Sequence, residues 1–245
     1  MQYDWSYFDA GDPRPGYFTS YTWAEYGPEA VQLAAALRNL FAPRRTLDLG
    51  CAKGFLLQAF DNLGSRAFGI DISAYALGCA APAVRPRTAM VDLGGAGLPF
   101  KAGAFDLVTC FGVIELLDNY DALVDEAIRV LEPGGVLALK TIARTASPDD
   151  LCRNAHPAEW WVDYFRRRGF TVLESQSARL REAMLRGWLE VALRSGRSRK
   201  ARVAGVICRL AGRLGAAIVF RAFRARMRGE AGTTPVLLVR RPADG

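Results

Sequence analysis

Leu47-Asp48-Leu49-Gly50-Cys51-Ala52-Lys53-Gly54, followed seventeen residues after Gly54 by Asp71 within Phe68-Gly69-Ile70-Asp71-Ile72, decides the architecture. An apolar run, a bend of small residues, a helical stretch, a second apolar run and an acid at its end make one half of a mononucleotide-binding unit. Gly50 and Gly54 let the backbone turn sharply and approach a ligand where a Cβ would collide. An acid that closes the second strand can accept hydrogen bonds from both hydroxyls of a ribose. The predicted ligand therefore contains a nucleoside.

Spacing narrows the ligand. A dinucleotide site wants Gly-x-Gly-x-x-Gly, with the pyrophosphate on the helix N-terminus and the last glycine letting helix and strand lie close. Counting from Gly50, that last position is Phe55, a bulky side chain. What fits is Gly-x-Gly-x-Gly with Ala52 in the middle place. On this motif alone an ordinary strand-turn-helix stays open as the plain alternative.

In that form the stretch resembles motif I of the class I S-adenosylmethionine-dependent methyltransferases, and three further stretches keep the family's order. Met90-Val91-Asp92-Leu93 resembles its third-strand acid. Phe105 to Leu116, with Leu98-Pro99-Phe100 before it, resembles its fourth-strand run. Leu131-Glu132-Pro133-Gly134-Gly135-Val136-Leu137 resembles the turn before its fifth strand. The resemblance covers residues 45 to 141.

The resemblance implies an α/β, Rossmann-like fold: a seven-stranded, mostly parallel sheet flanked by helices, with the seventh strand antiparallel beside the fifth. It implies S-adenosyl-L-methionine as cofactor and transfer of its methyl group to a small-molecule acceptor such as a natural product or sugar. Residue by residue, Asp48 would order the turn, and the backbone through Gly50, Cys51, Ala52 and Gly54 would approach the amino acid end. Asp71 would bind the ribose, Ile72 would pack on adenine, Asp92 would face the adenine amine, and Leu93 would offer its amide. Phe111, Gly112 and Val113 would line the floor near the methionine part. Helix capping for the acids and core packing for Phe111 and Ile72 are the plainer alternatives.

Periodicity gives the frame independently. Strands are expected near 45 to 49, 67 to 71, 87 to 91, 105 to 111, 136 to 141, 170 to 175 and 236 to 240. Helices are expected near 28 to 40, 54 to 63, 73 to 81, 119 to 131 and 158 to 168. Short apolar runs alternating with helices mean a parallel sheet covered on both faces, with the ligand at the carboxyl edge of its strands.

Four regions follow: an aromatic lid segment over 1–27, the cofactor-binding core over 28–177, a basic insertion over 178–232, and a final strand and tail over 233–245. In the lid, Tyr17 and Tyr21 are the candidates to cover the cofactor, since aromatic faces attract its sulfonium; a tail packed on the sheet edge is the alternative. The insertion holds fourteen Lys and Arg against three Glu, a local charge of +11 in a chain of total +7, which leaves −4 elsewhere. Residues 203 to 223 have an amphipathic helical period. A cap on the domain and a surface lying on anionic membrane, giving access to a lipid-linked acceptor, are both open readings. Nucleic acid is disfavoured, because few aromatics accompany the arginines.

His156, the single histidine, stands in His156-Pro157-Ala158-Glu159-Trp160-Trp161 at the start of a helix. Similar small-molecule methyltransferases carry such a stretch, and His156 is the candidate general base; a packed histidine is the alternative. Leu116 and Leu117 follow Glu115 where many relatives have a histidine, so no base is expected there. Lys53 is expected to face solvent, with pairing to a carboxylate as the alternative. Five scattered cysteines give neither a metal spacing nor a disulfide framework, and no metal is expected. The absence of a basic region followed by an apolar run at the start points to a cytoplasmic protein, membrane-associated if the insertion binds lipid. A protein that holds the cofactor without transferring methyl is the remaining alternative. The oligomeric state leaves no mark in the sequence.

Overall fold

The computed structural model describes residues 3–10, 20–95, 97–141, 154, 156–195, 217, 219–221 and 236–243. Among these, the strands are β1 Arg45–Leu49, β2 Arg66–Asp71, β3 Thr88–Met90, β4 Phe105–Phe111, β5 Leu131–Lys140, β6 Thr171–Val172 and β7 Val236–Arg240. The helices are α1 Trp5–Asp9, α2 Trp23–Phe41, α3 Phe55–Asn62, α4 Ala74–Gly78, α5 Tyr120–Val130, α6 Ala158–Arg167 and α7 Glu174–Ser195. One sheet runs in the order β3-β2-β1-β4-β5-β7-β6. β7 pairs antiparallel with both β5 and β6, and the remaining pairs are parallel. The Rossmann-like sheet expected from the sequence is present.

Strand alternation assigns the two faces. Leu47 and Leu49 of β1 and Leu137 and Leu139 of β5 pack into the layer that includes Trp161 and Phe165 of α6 and Leu123 and Val124 of α5. Val136 and Ala138 pack into the opposite layer, with Leu33 and Leu37 of α2, Leu57 and Phe60 of α3, and Leu180 and Met184 of α7. Each fully buried side chain of this size contributes about 1.5–3 kcal/mol.

Four boundaries differ clearly from expectation. β5 starts at Leu131 and not near 136, so the stretch Leu131 to Gly135, read as the turn before the strand, is part of it, with a register shift against β4 between Phe105 and Leu107. α2 starts at Trp23 and carries Pro28 inside it instead of near its start; Pro28 lacks the N–H that would continue the ladder, and the burial of Leu33, Ala34 and Leu37 holds the helix together. The stretch read as a strand over 170 to 175 pairs only at Thr171 and Val172, because Glu174 opens α7. Ser177 on its first turn accepts the Leu238 N–H at 2.9 Å, tying helix to sheet. α7 runs through residue 178, the expected border of the insertion, and buries Leu180 and Met184 in the core. The amphipathic stretch at 203 to 223 lies outside the described residues except 217 and 219–221.

Candidate functional site

The bend after β1 is built on positive φ. Gly50, Ala52 and Gly54 have φ of 76°, 47° and 71°, a region that costs a side-chain-bearing residue energy. Ala52 tolerates it because its amide is anchored, its N–H donating to Asp71 Oδ2 at 2.7 Å. Gly50 and Cys51 donate to the Ile70 carbonyl at 2.8 and 3.0 Å, and Gly54 donates to the Cys51 carbonyl at 2.8 Å. Gly50 has no room for a Cβ, which would run into Val113 Cγ2. Gly69 is equally confined, its Cβ position lying 2.6 Å from Cys51 Sγ.

Asp48 is buried and accepts from Thr109 Oγ1 at 2.7 Å. Burial, with help from the neighbouring Asp71 charge, pushes its pKa up to about 7 despite that bond. Asp71 ends β2, takes the Ala52 N–H on one oxygen and the Ser73 N–H, at 2.8 Å, on the other. Its pKa is raised by burial, which those two bonds oppose.

Beyond Asp71 a cavity of about 530 Å³ opens between Ile72, Ser73, Ala74, Tyr75 and Met90, with Tyr3 and Asp4 supplying the remaining wall. Ile72 and Met90 are 44% and 66% exposed there, an apolar floor open to solvent. A buried acid at a strand end next to an open apolar slot suits an adenosine, so the residues present fit the expected cofactor. Asp92 is exposed and accepts the Gly94 N–H at 2.9 Å, while Leu93 is buried.

The N-terminal segment reaches this site. Phe8 of α1 packs with Ala52 and Ala76, and Ser73 Oγ donates to the Tyr3 carbonyl. Lys53 is buried, not solvated as expected: its ammonium sits 2.7 Å from both oxygens of Asp9 and 5.6 Å from the Tyr75 ring centroid. Burial works against the Asp9 charge, yet the bonds from Lys53 and Tyr75 win and hold its pKa low. Tyr21 stacks on Phe55 with centroids 4.8 Å apart. Tyr17 lies outside the described residues.

At the carboxyl ends of β4 and β5, Phe111 pairs in register with Lys140. Gly112, at φ 72°, donates its N–H to the Lys140 carbonyl at 2.9 Å. Lys140 Nζ meets Glu29 Oε1 of α2 at 2.9 Å. Behind this, Glu115 is buried, accepts from Thr141 Oγ1 at 3.0 Å, and has its pKa pushed up to about 7 by burial. His156 stacks on Trp160, centroids 3.8 Å apart and planes 13° off parallel, and lies edge-on to Tyr120 and Trp161. The structure thus ties the bend to Asp71 through the Ala52 amide and opens the cavity at the residues that follow Asp71, while His156 sits in an aromatic cluster of α5 and α6. Sequence reading missed Asp9, Glu29, Tyr75, Lys140 and the buried state of Glu115.

Residues 47–139 match the family model described as a methyltransferase domain. A ubiquinone biosynthesis O-methyltransferase of Psychrobacter arcticus is 33% identical over 109 residues, 42% of this chain and 42% of that protein. The one from Methylococcus capsulatus is 32% identical over 122 residues, 48% of this chain and 51% of that protein. The chain thus aligns with about half or less of the length of these curated relatives. Among solved structures, the (4+2)-cyclase SpnF superposes with a TM-score of 0.53 at 23% identity, covering 89% of this chain and 81% of that one. Haemonchus contortus Phospholethanolamine N-methyltransferase 2 gives a TM-score of 0.53 at 18% identity, covering 87% and 52%. At these identities the two structures speak to the fold alone.

Proposed function

We propose that this chain, whose residues 47–139 match a methyltransferase domain, is a class I S-adenosylmethionine-dependent enzyme that methylates a hydroxyl of a small-molecule acceptor. The observation that carries this reading is the junction of the 50–54 bend, buried Asp71 and the cavity floored by Ile72 and Met90. The likeness to O-methyltransferases over the cofactor half supports the choice of oxygen.

When bound, S-adenosylmethionine supplies a methyl carbon made electrophilic by its positive sulfur. The chain's own part is positioning. Asp71, already fixed by two backbone amides, is set to face the ribose without reorganisation. Ile72 and Met90 are set to cover adenine, and Tyr3 and Asp4, just ahead of α1, to wall it off from water. Holding the acceptor oxygen about 3–3.5 Å from the methyl on the correct axis then accounts for most of the rate.

Calorimetry with S-adenosylhomocysteine tests the site, and labelled-methyl transfer into a metabolite extract tests the reaction. A second reading, cofactor binding without methyl transfer, stays beside it because a fold does not by itself fix an activity; it predicts heat without label. The +11 charge of residues 178–232 supports an acceptor held at an anionic membrane. Among the described residues no helix is long and apolar enough to cross a membrane. Pelleting with anionic liposomes at low and high salt checks the surface reading.

A further inference from the structure

We infer that Glu29 and Lys140 form the acceptor's docking and proton-accepting pair, and that the acceptor presents an ionisable hydroxyl, a phenol or an enol. This rests on the methyl-transfer reading above and adds the substrate class to it.

Alternation along β5 puts Val136, Ala138 and Lys140 on the face covered by α2, and the first two are packed into its core. Lys140 is the charged residue at the rim of that face, on the carboxyl edge where the cofactor bend also lies. Its ammonium is 2.9 Å from Glu29 Oε1 and 6.0 Å from the Phe111 ring centroid. The Lys140 and Glu29 side chains are only 22% and 11% exposed, so the pair has given up much of its hydration. Desolvated pairs of this kind stabilise a fold poorly compared with apolar residues of the same volume. Tethering α2 to the sheet therefore does not explain why a pair of charges stands here.

Its surroundings give a better reason. Glu29, Tyr26, Asp48 and Cys51 all lie within electrostatic reach of the buried Tyr21 phenol, which marks this corner. α7 brings Gly187, which has no titratable group, against the Glu29 backbone, 2.5 Å from its Cα to an ideal Cβ position. That close approach locks Glu29 in place. A hydroxyl lying over Phe111 and between the two charges would accept a hydrogen bond from the Lys140 ammonium. Its proton would pass to the Glu29 carboxylate as an oxygen lone pair forms the O–CH3 bond and the C–S electron pair departs with sulfur. Lys140 stabilises the negative charge developing on oxygen and repels a protonated amine, which selects hydroxyl over amine.

Binding of para-nitrophenol, in the presence of S-adenosylhomocysteine, tests this without turnover, because its phenolate absorbs in the visible. The pair predicts a bound pKa about one unit or more below that of the free dye. Lys140→Met abolishes that shift and Lys140→Arg retains it. Glu29→Gln retains the shift and lowers turnover about 10²-fold. An unshifted bound dye in the wild type, equal shifts in wild type and Lys140→Met, no dye binding, or Glu29→Gln turnover within twofold of wild type each overturns the pair. Should Lys140→Met not fold, the Glu29→Gln and Lys140→Arg arms still decide. Absence of S-adenosylhomocysteine heat in the wild type sinks the methyl-transfer reading itself, so the two failures are distinguishable.

Discussion

Lys53, in the bend of the nucleoside motif, is clasped by Asp9 of α1, its ammonium 2.7 Å from both carboxylate oxygens. Tyr75 donates to the same carboxylate at 2.5 Å, so one acid joins the N-terminal helix to both the bend and α4. The bond to Asp9 in turn raises the Tyr75 pKa, which keeps the phenol a donor. The clasp holds Tyr3 and Asp4 in the cavity wall.

Opening the clasp should loosen the cofactor site without dissolving the sheet. Charge-assisted hydrogen bonds contribute roughly 1.5–3 kcal/mol, of which about 1.4 kcal/mol reaching the ligand is tenfold in Kd. Lys53→Met and Asp9→Asn should each raise the S-adenosylhomocysteine Kd about tenfold, and the double variant should be no worse than either single one. Calorimetry that returns an unchanged Kd for both single variants refutes the role.

Gly50 and Gly54 share a positive φ but differ in space. A Cβ at Gly54 would meet Val84 and Ala80 at 3.5 and 3.6 Å, ordinary contacts, whereas one at Gly50 would collide with Val113. Gly54→Ala should therefore cost about 1–2 kcal/mol from backbone strain alone. Gly50→Ala should cost about 1–3 kcal/mol more through overpacking. Adding Val113→Ala should relieve the second part only, giving a favourable coupling in a urea-denaturation double-mutant cycle; additive losses would count against the steric account.

Asp48 and Glu115 make stability fall as pH rises. Their folded pKa values of about 7 exceed the ordinary 3.8 and 4.5, so the folded chain holds more protons than the unfolded chain between those limits. The destabilisation is absent below the lower limit and fully present above about 7. Asp48→Asn keeps the shape and a partner for Thr109 but cannot ionise. It should add on the order of 4 kcal/mol above that range, since a tenfold change in proton affinity is worth about 1.4 kcal/mol and the shift spans about three such steps, and close to nothing in acid. Urea midpoints across pH measure the difference; a parallel offset at all pH values would show that ionisation is not the cause.

Legibility followed the distance over which each residue's partner lies. Gly50, Gly54 and Asp71 were readable because a bend and a strand end carry their chemistry locally, and β1, β4 and β7 because apolar runs with clear borders have one use. Glu29 and Lys140 were not, since 111 residues separate them and only the sheet order brings β5 under α2. Lys53 and Asp9, 44 residues apart, hid for the same reason. The sixth strand was overread because Phe170 to Ser175 has strand-like composition, while its length is set by Ser177 capturing the Leu238 amide from the next helix.

His156 is the remaining discrepancy between residue type and setting. A general base needs a nitrogen free to turn toward the acceptor, but this ring lies flat on Trp160 at 3.8 Å inside a cluster with Tyr120 and Trp161. Aromatic pairs of this kind contribute about 0.5–1.5 kcal/mol beyond burial, and the ring's stacking and its chemistry can be varied separately. His156→Phe keeps the stack and removes the nitrogens; His156→Gln keeps a polar group and removes the stack. Packing predicts that Phe leaves kcat within a few-fold and the melting temperature unchanged, while Gln lowers the melting temperature. A base predicts that both lose about 10² in kcat and that the acid limb of the pH profile disappears. Steady-state kinetics on the two variants side by side decide it, and a large loss in the Phe variant would restore His156 to the reaction at the expense of Glu29.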